Sequence, residues 1–154
     1  MTSRNMQTYL RLIGQAGWGR HELGDYLADD ASNDAVFEAY TDDVVVVEPE
    51  CLPQGGEHHG REAWRAMHAG IQDLWEQQFE ILDLWDVPDD DVIVLHASMV
   101  WTGKATGRTA TVPFIGVLTF RDALIARVEI YPRDSKAILD TLAPVDGDEQ
   151  AAAT

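Results

Sequence analysis

Hydrophobic residues change their spacing several times along this chain, and each change marks an element. Within residues 20–30, Leu23, Tyr26 and Leu27 stand at i, i+3 and i+4, one face of a short helix. Asn33 suits an N-cap, and Val36, Phe37 and Tyr40 repeat the helical spacing behind it. Val44 to Val47 are four β-branched residues in a row, which crowd a helix and predict a strand. Pro49, Pro53 and the pair Gly55-Gly56 then force an irregular loop. From Gly60 to Gln78 the period is helical again, with Trp64, Met67, His68, Ile71, Leu74 and Trp75 on one stripe. Phe79, Ile81 and Trp85 next alternate with Glu80 and Asp86, the period of a strand. Further strand-like runs cover 91–102, 109–120 and 123–131, with Gly103, Gly107 and Asp122 in the turns between them. A last short helix, 134–142, carries Ile138, Leu139 and Leu142 behind Asp134 as its cap.

Helices followed by long strands, with one helix inserted, define an α+β domain over residues 20–142. The arrangement predicts a cone-shaped, curved antiparallel sheet wrapped around the helices and enclosing one hydrophobic pocket. Residues 1–19, weakly helical around Tyr9 and Leu12 and broken by Gly14, Gly17 and Gly19, read as an N-terminal extension. Residues 143–154 read as a frayed acidic tail. A chain of 154 residues makes one domain and buries roughly 70% of its unfolded surface.

Charge narrows the partners. Eleven Lys and Arg against 27 Asp and Glu leave a formal charge of −16. Neither a nucleic-acid backbone nor an anionic membrane is an expected partner for such a surface. One cysteine, Cys51, excludes an internal disulfide, and no apolar run reaches the length of a signal peptide or a spanning helix. The expected location is the cytoplasm.

Candidate chemistry gathers at a few positions. Glu48 ends an apolar strand and precedes Pro49, so it is either a base lifted into the pocket or a rim carboxylate in water. His68 shares the inward stripe of the long helix, as a pocket group or a core histidine. His96 interrupts an apolar strand on the parity of Val94 and Ser98, either lining the pocket or meeting a cross-strand partner. Tyr26 faces inward with Leu23. Trp64, Trp75 and Trp101, with Phe114 and Val128, are the expected substrate-binding wall, suited to a flat polycyclic ligand. Trp85 belongs to the same core-or-wall set. Glu129 and Tyr131 lie opposite the aliphatic set of the last strand and point to a dimer surface. His58 and His59 face opposite ways in extended chain and lack a third ligand, so no metal is expected. Cys51 stands among Glu48 and Glu50, which disfavour a thiolate.

Four segments in order resemble the nuclear transport factor 2-like superfamily: SNDAVFEAYTDDVVVVEPE, GGEHHGREAWRAM, TGKATGRT and FRDALIARVEIYPRD. The resemblance covers about residues 20–142 and is nearest to the SnoaL-like branch, with ketosteroid isomerases as cousins. It implies Glu48 as general base and Tyr26 as oxyanion donor, with His68 at the place of the tyrosine that supports that donor. The isomerases' second donor, a protonated aspartic acid, falls at or near Gly116, which departs from their pattern. The Asp-Arg relay of the epoxide hydrolases finds no match on strand 109–120. The penultimate strand lacks the histidine of the cyclases, although Glu129 offers an acid on the last. A dehydratase-like set would need His68, His96 and Asp134 together.

Together these readings imply a cofactor-free acid–base enzyme acting on a small hydrophobic carbonyl compound, polyketides and other polycyclics included. Isomerisation, cyclisation and dehydration are the reaction types, Glu48 is the base, Tyr26 the donor, and His68 and His96 complete the catalytic set. The alternative is a ligand-binding or scaffold protein of the same fold, to which Gly116 lends support. A homodimer through the outer sheet face is expected in either case.

Overall fold

A computed structural model describes residues 2–16, 21–22 and 38–144. Its elements in chain order are α1 (Arg4–Ala16), β1 (His21–Glu22), β2 (Tyr40–Glu48), β3 (Gly56–His59), α2 (Arg61–Leu74) and β4 (Trp75–Val87). After a 3-10 turn at Pro88–Asp90 come β5 (Val92–Gly103), β6 (Thr109–Arg121), β7 (Leu124–Pro132) and α3 (Ser135–Asp140). The protein is α+β. Six strands and the two-residue β1 form one curved, unclosed sheet in the order β1-β4-β5-β6-β7-β2-β3. Every neighbouring pair is antiparallel except β2 and β7, which run parallel with Val46 opposite Val128. No helix among the described residues is long and apolar enough to cross a membrane.

The pleat separates two faces. Along β5 the buried residues Ile93, Leu95, Ala97, Met99 and Trp101 alternate with half-buried ones. β6 continues that inner face with Val112, Leu118 and Phe120, and β7 with Ile125 and Val128. Helix α2 adds Trp64, Met67 and Ile71 from its apolar stripe. A bulge in β4 between Ile81 and Asp83 increases the local bend. The hairpin β6–β7 turns on Asp122 and Ala123, whose φ values of 53° and 60° lie in the left-handed region.

Several elements differ from the sequence reading. Helix α2 stops at Leu74, not Gln78, because Trp75 is extended and pairs with Gly103. The Trp75 indole donates to Thr141 Oγ1 at 2.7 Å and meets Trp101 edge-on at 5.0 Å. Gly103 permits this closure, since a Cβ there would lie 2.2 Å from the Thr141 carbonyl oxygen. Tyr40 opens β2 rather than ending a helix, and part of the expected loop forms β3 against β2. Of the expected helix 20–30, His21 and Glu22 pair with β4 as a strand. The rest of that helix and the Asn33 cap lie outside the described residues, as does the tail from 145 onward.

The N-terminal extension contains a helix that runs through Gly14 and contributes Met6, Tyr9 and Leu12 to the core. Asn5 Nδ2 donates to Asp91 Oδ1 at 2.9 Å and Thr8 Oγ1 to the Ala123 carbonyl at 2.7 Å. These bonds tie α1 to two hairpin turns. Asp134 caps α3 as expected, its carboxylate accepting from the Ala137 amide at 3.0 Å.

Candidate functional site

Between α1, α2 and the inner sheet face lies a cavity of about 200 Å³. Three rings form one wall: Tyr40 and Trp64 with centroids 5.3 Å apart, and Trp64 and His68 edge-on at 4.2 Å. Helical spacing from Trp64 to His68 puts both on that side. Trp101, Phe114 and Val128 face them from the strands. Polar groups are few: Tyr9, Tyr40, Glu48, His68 and Gln77.

Glu48 reaches the cavity because β2 carries it there and Pro49 ends the strand immediately after. Burial pushes its carboxyl up to about 7, while the neighbouring Gln54 amide holds the rise back somewhat. It therefore exchanges a proton near neutral pH. His68 is held down to about 4 by burial, so its imidazole is neutral under the same conditions. The ring borders the cavity, but its Nδ1 is shielded and has no hydrogen-bond partner among the described residues. Tyr9 is buried beside Tyr40, and both effects raise its phenol so that it stays protonated and can donate.

The residues anticipated from sequence divide into three groups. Glu48 and His68 line the cavity with Trp64, Trp101, Phe114 and Val128. Tyr26 lies outside the described residues. His96 and Trp75 stand elsewhere, which corrects the expectation for both. His96 has the parity opposite to Leu95 and Met99 and so projects from the outer sheet face, its Nδ1 3.1 Å from Asp83 Oδ2. It stacks on exposed Trp85 at 6.4 Å. Trp75 is buried against Trp101, with its N–H already taken by Thr141. Gly116 faces inward between Leu95 and Ile130, where a Cβ would make ordinary contacts at 3.5 and 3.6 Å. The wall there offers no donor.

Tyr9, Tyr40 and Gln77 were not anticipated as cavity residues. Tyr9 carried one signal, its position on the apolar stripe of a segment read as an extension. Outside the cavity, His58 Nε2 lies 2.6 Å from the Gln54 carbonyl oxygen and His59 pairs with Glu57. No group of three potential metal ligands occurs among the described residues, and Cys51 is exposed.

The family model for the SnoaL-like domain matches residues 20–128. This chain belongs to the SnoaL-like domain family. No curated protein matches it. Solved structures similar to this SnoaL-like protein include an NTF2-like protein of unknown function from Burkholderia pseudomallei K96243. That structure is 19% identical with a TM-score of 0.74, covering 92% of this chain and 99% of the other. TerC co-crystallised with polyporic acid is 20% identical at a TM-score of 0.72, with 91% and 98% covered. A candidate SnoaL-like polyketide cyclase from Jannaschia sp. CCS1 is 16% identical at 0.70, with 90% and 91% covered. At these identities the likeness is one of fold.

Proposed function

We propose that this SnoaL-like protein is a cofactor-free acid–base enzyme for a small hydrophobic carbonyl compound. The observation that carries the reading is a carboxyl group in an apolar cavity, poised near neutrality, with the protonated Tyr9 phenol and the Tyr40 hydroxyl lining the same cavity. Glu48 removes a proton from the carbon next to the carbonyl, and the C–H electron pair passes into an enolate. Tyr9 or Tyr40 donates a hydrogen bond to the enolate oxygen, the role first expected of Tyr26. Neutral His68 supports the aromatic wall and is no cationic acid. Glu48 then returns the proton to another carbon, or the enolate closes a ring or expels a leaving group. A cavity of about 200 Å³ favours a compound of one or two rings, smaller than the polycyclic ligand that five tryptophans suggest. The acidic surface and single cysteine support a cytoplasmic location. The outer sheet face supports a homodimer.

A second reading rests on Gly116. Without a donor on that wall, the cavity suits a binder that holds its ligand by apolar contact. The test that separates the two needs no knowledge of the natural substrate. Small cyclic ketones are incubated with the protein in D₂O, and exchange beside the carbonyl is followed by proton NMR. The enzyme reading expects exchange that falls about a hundredfold or more in Glu48→Gln while ketone binding stays within a few-fold. Binding without exchange by the parent protein, across the panel, selects the binder.

A further inference from the structure

We propose that Gln54 is the positioning residue for Glu48, holding the carboxyl toward the cavity from behind through both of its protonation states. This inference rests on the reading of Glu48 as the base. Gln54 comes from the tight loop between β2 and β3. Leu52 N–H donates to the Pro49 carbonyl at 3.0 Å and Gly55 N–H to the Leu52 carbonyl at 2.9 Å. The loop is pinched shut at Gly55, where a Cβ would stand 2.4 Å from the Pro49 oxygen. It returns the chain so that Gly56 pairs with Glu48 and Gln54 is buried, 6% exposed. The backbone of Gln54 is fixed in turn by His58 Nε2 on its carbonyl oxygen.

What makes this side chain informative is that both amide atoms, Nε2 and Oε1, are shielded without a hydrogen-bond partner among the described residues. A buried carboxamide left so is costly and uncommon. The Glu48 carboxyl lies near enough for the amide to hold it down, though short of a closed hydrogen bond. His58, on the backbone carbonyl, is the other titratable neighbour. A neutral carboxyl offers one donor and one acceptor, the complement of a carboxamide, so a small rotation would close two hydrogen bonds. An ionised carboxylate still takes the Nε2–H. Gln54 can therefore hold Glu48 before and after it accepts a proton, without itself touching the substrate. Gln54 borders a separate hollow on the outside of α2, beyond Met67, rather than the cavity itself.

The experiment is carboxyl-carbon NMR of Glu48 across pH in the full chain and in Gln54→Leu, which is close in size but cannot hydrogen-bond. Loss of the donor should move the Glu48 midpoint up by about one pH unit. A purely structural role would lower the melting temperature and leave that midpoint where it was, and this result overturns the proposal. In the unmutated protein the Gln54 side-chain amide signals should titrate with the Glu48 midpoint and stop doing so in Glu48→Gln. Amide signals indifferent to pH also overturn it, even if Gln54→Leu fails to fold. An ordinary carboxylate midpoint for Glu48 in the parent protein refutes the base instead, a result separate from either of these.

Discussion

Glu48 and His68 titrate in opposite senses, and the pair shapes how stability depends on pH. The Glu48 carboxyl sits near 7 when folded against an ordinary 4.5, so folding favours its protonated form and stability falls as pH rises between those values. His68 sits near 4 when folded against an ordinary 6.5, so folding favours its neutral form and stability falls as pH drops through that range. In their common window the two slopes oppose each other. Glu48→Gln removes one of them. The variant should be more stable than the parent at pH 8, by on the order of 3 kcal/mol at most, and nearly equal to it at pH 4. Urea unfolding at the two pH values checks this, and an equal difference at both would place Glu48 in water.

Helix α2 and the β6–β7 hairpin each allow a test of how an element is held. Ile71 is 3% exposed on the buried face of α2, so Ile71→Asp forces an unpaired charge into the core. A loss of roughly 3–5 kcal/mol, read by thermal or urea unfolding, is expected, and an unchanged melting temperature would mean the helix presents a different face. The hairpin carries the opposite kind of flaw. Ala123 occupies a left-handed conformation that costs an L-residue roughly 1–2 kcal/mol, whereas glycine adopts it freely. Ala123→Gly should raise stability by about 0.5–1 kcal/mol after the greater freedom of glycine in the unfolded chain is counted. The Thr8 bond to this carbonyl needs no side chain and should survive.

For the whole molecule the outer sheet face matters most. Val94, Val100, Ile115 and Val117 share it by register, and Tyr131 lies on it 55% exposed, hydrogen-bonding to Glu129 at 3.2 Å. The proposed two-fold dimer through this face should bury at least about 1,200 Å² in total. Light scattering should then give about twice the chain mass of 17.1 kDa, and Ile115→Asp should return the monomer. A parent protein that stays at chain mass at micromolar concentration removes the dimer. The same whole-molecule view includes α1, which the sequence pattern left outside the domain and the structure packs over the cavity through Tyr9 and Leu12.

Period and breakers alone were enough for the elements whose faces are strongly contrasted. The Val44–Val47 run, the Trp64–Ile71 stripe and the alternation in 91–102 each identify their element, because burying one face leaves a repeat of 2 or 3.6 in the chain. Glu48 before Pro49 was conspicuous for a related reason, as a charge closing an apolar strand. The pattern left it either in the pocket or on the rim, and the closed fold puts it against the cavity. Parity also grouped His96 with Val94 and Ser98, but it could not say which side of the sheet faces the helices. Only packing against α1 and α2 decides that, and it turns Leu95 inward and His96 out. Trp75 looked helical because its spacing continues the stripe, until pairing with Gly103 and the bond to Thr141 took it into β4. Tyr9, Tyr40 and Gln54 meet Glu48's surroundings from positions 39, 8 and 6 residues away along the chain. That Tyr9 and Tyr40 share a cavity with Glu48, while Gln54 lies on its far side, is a property of the closed fold, set by contacts that no local repeat encodes.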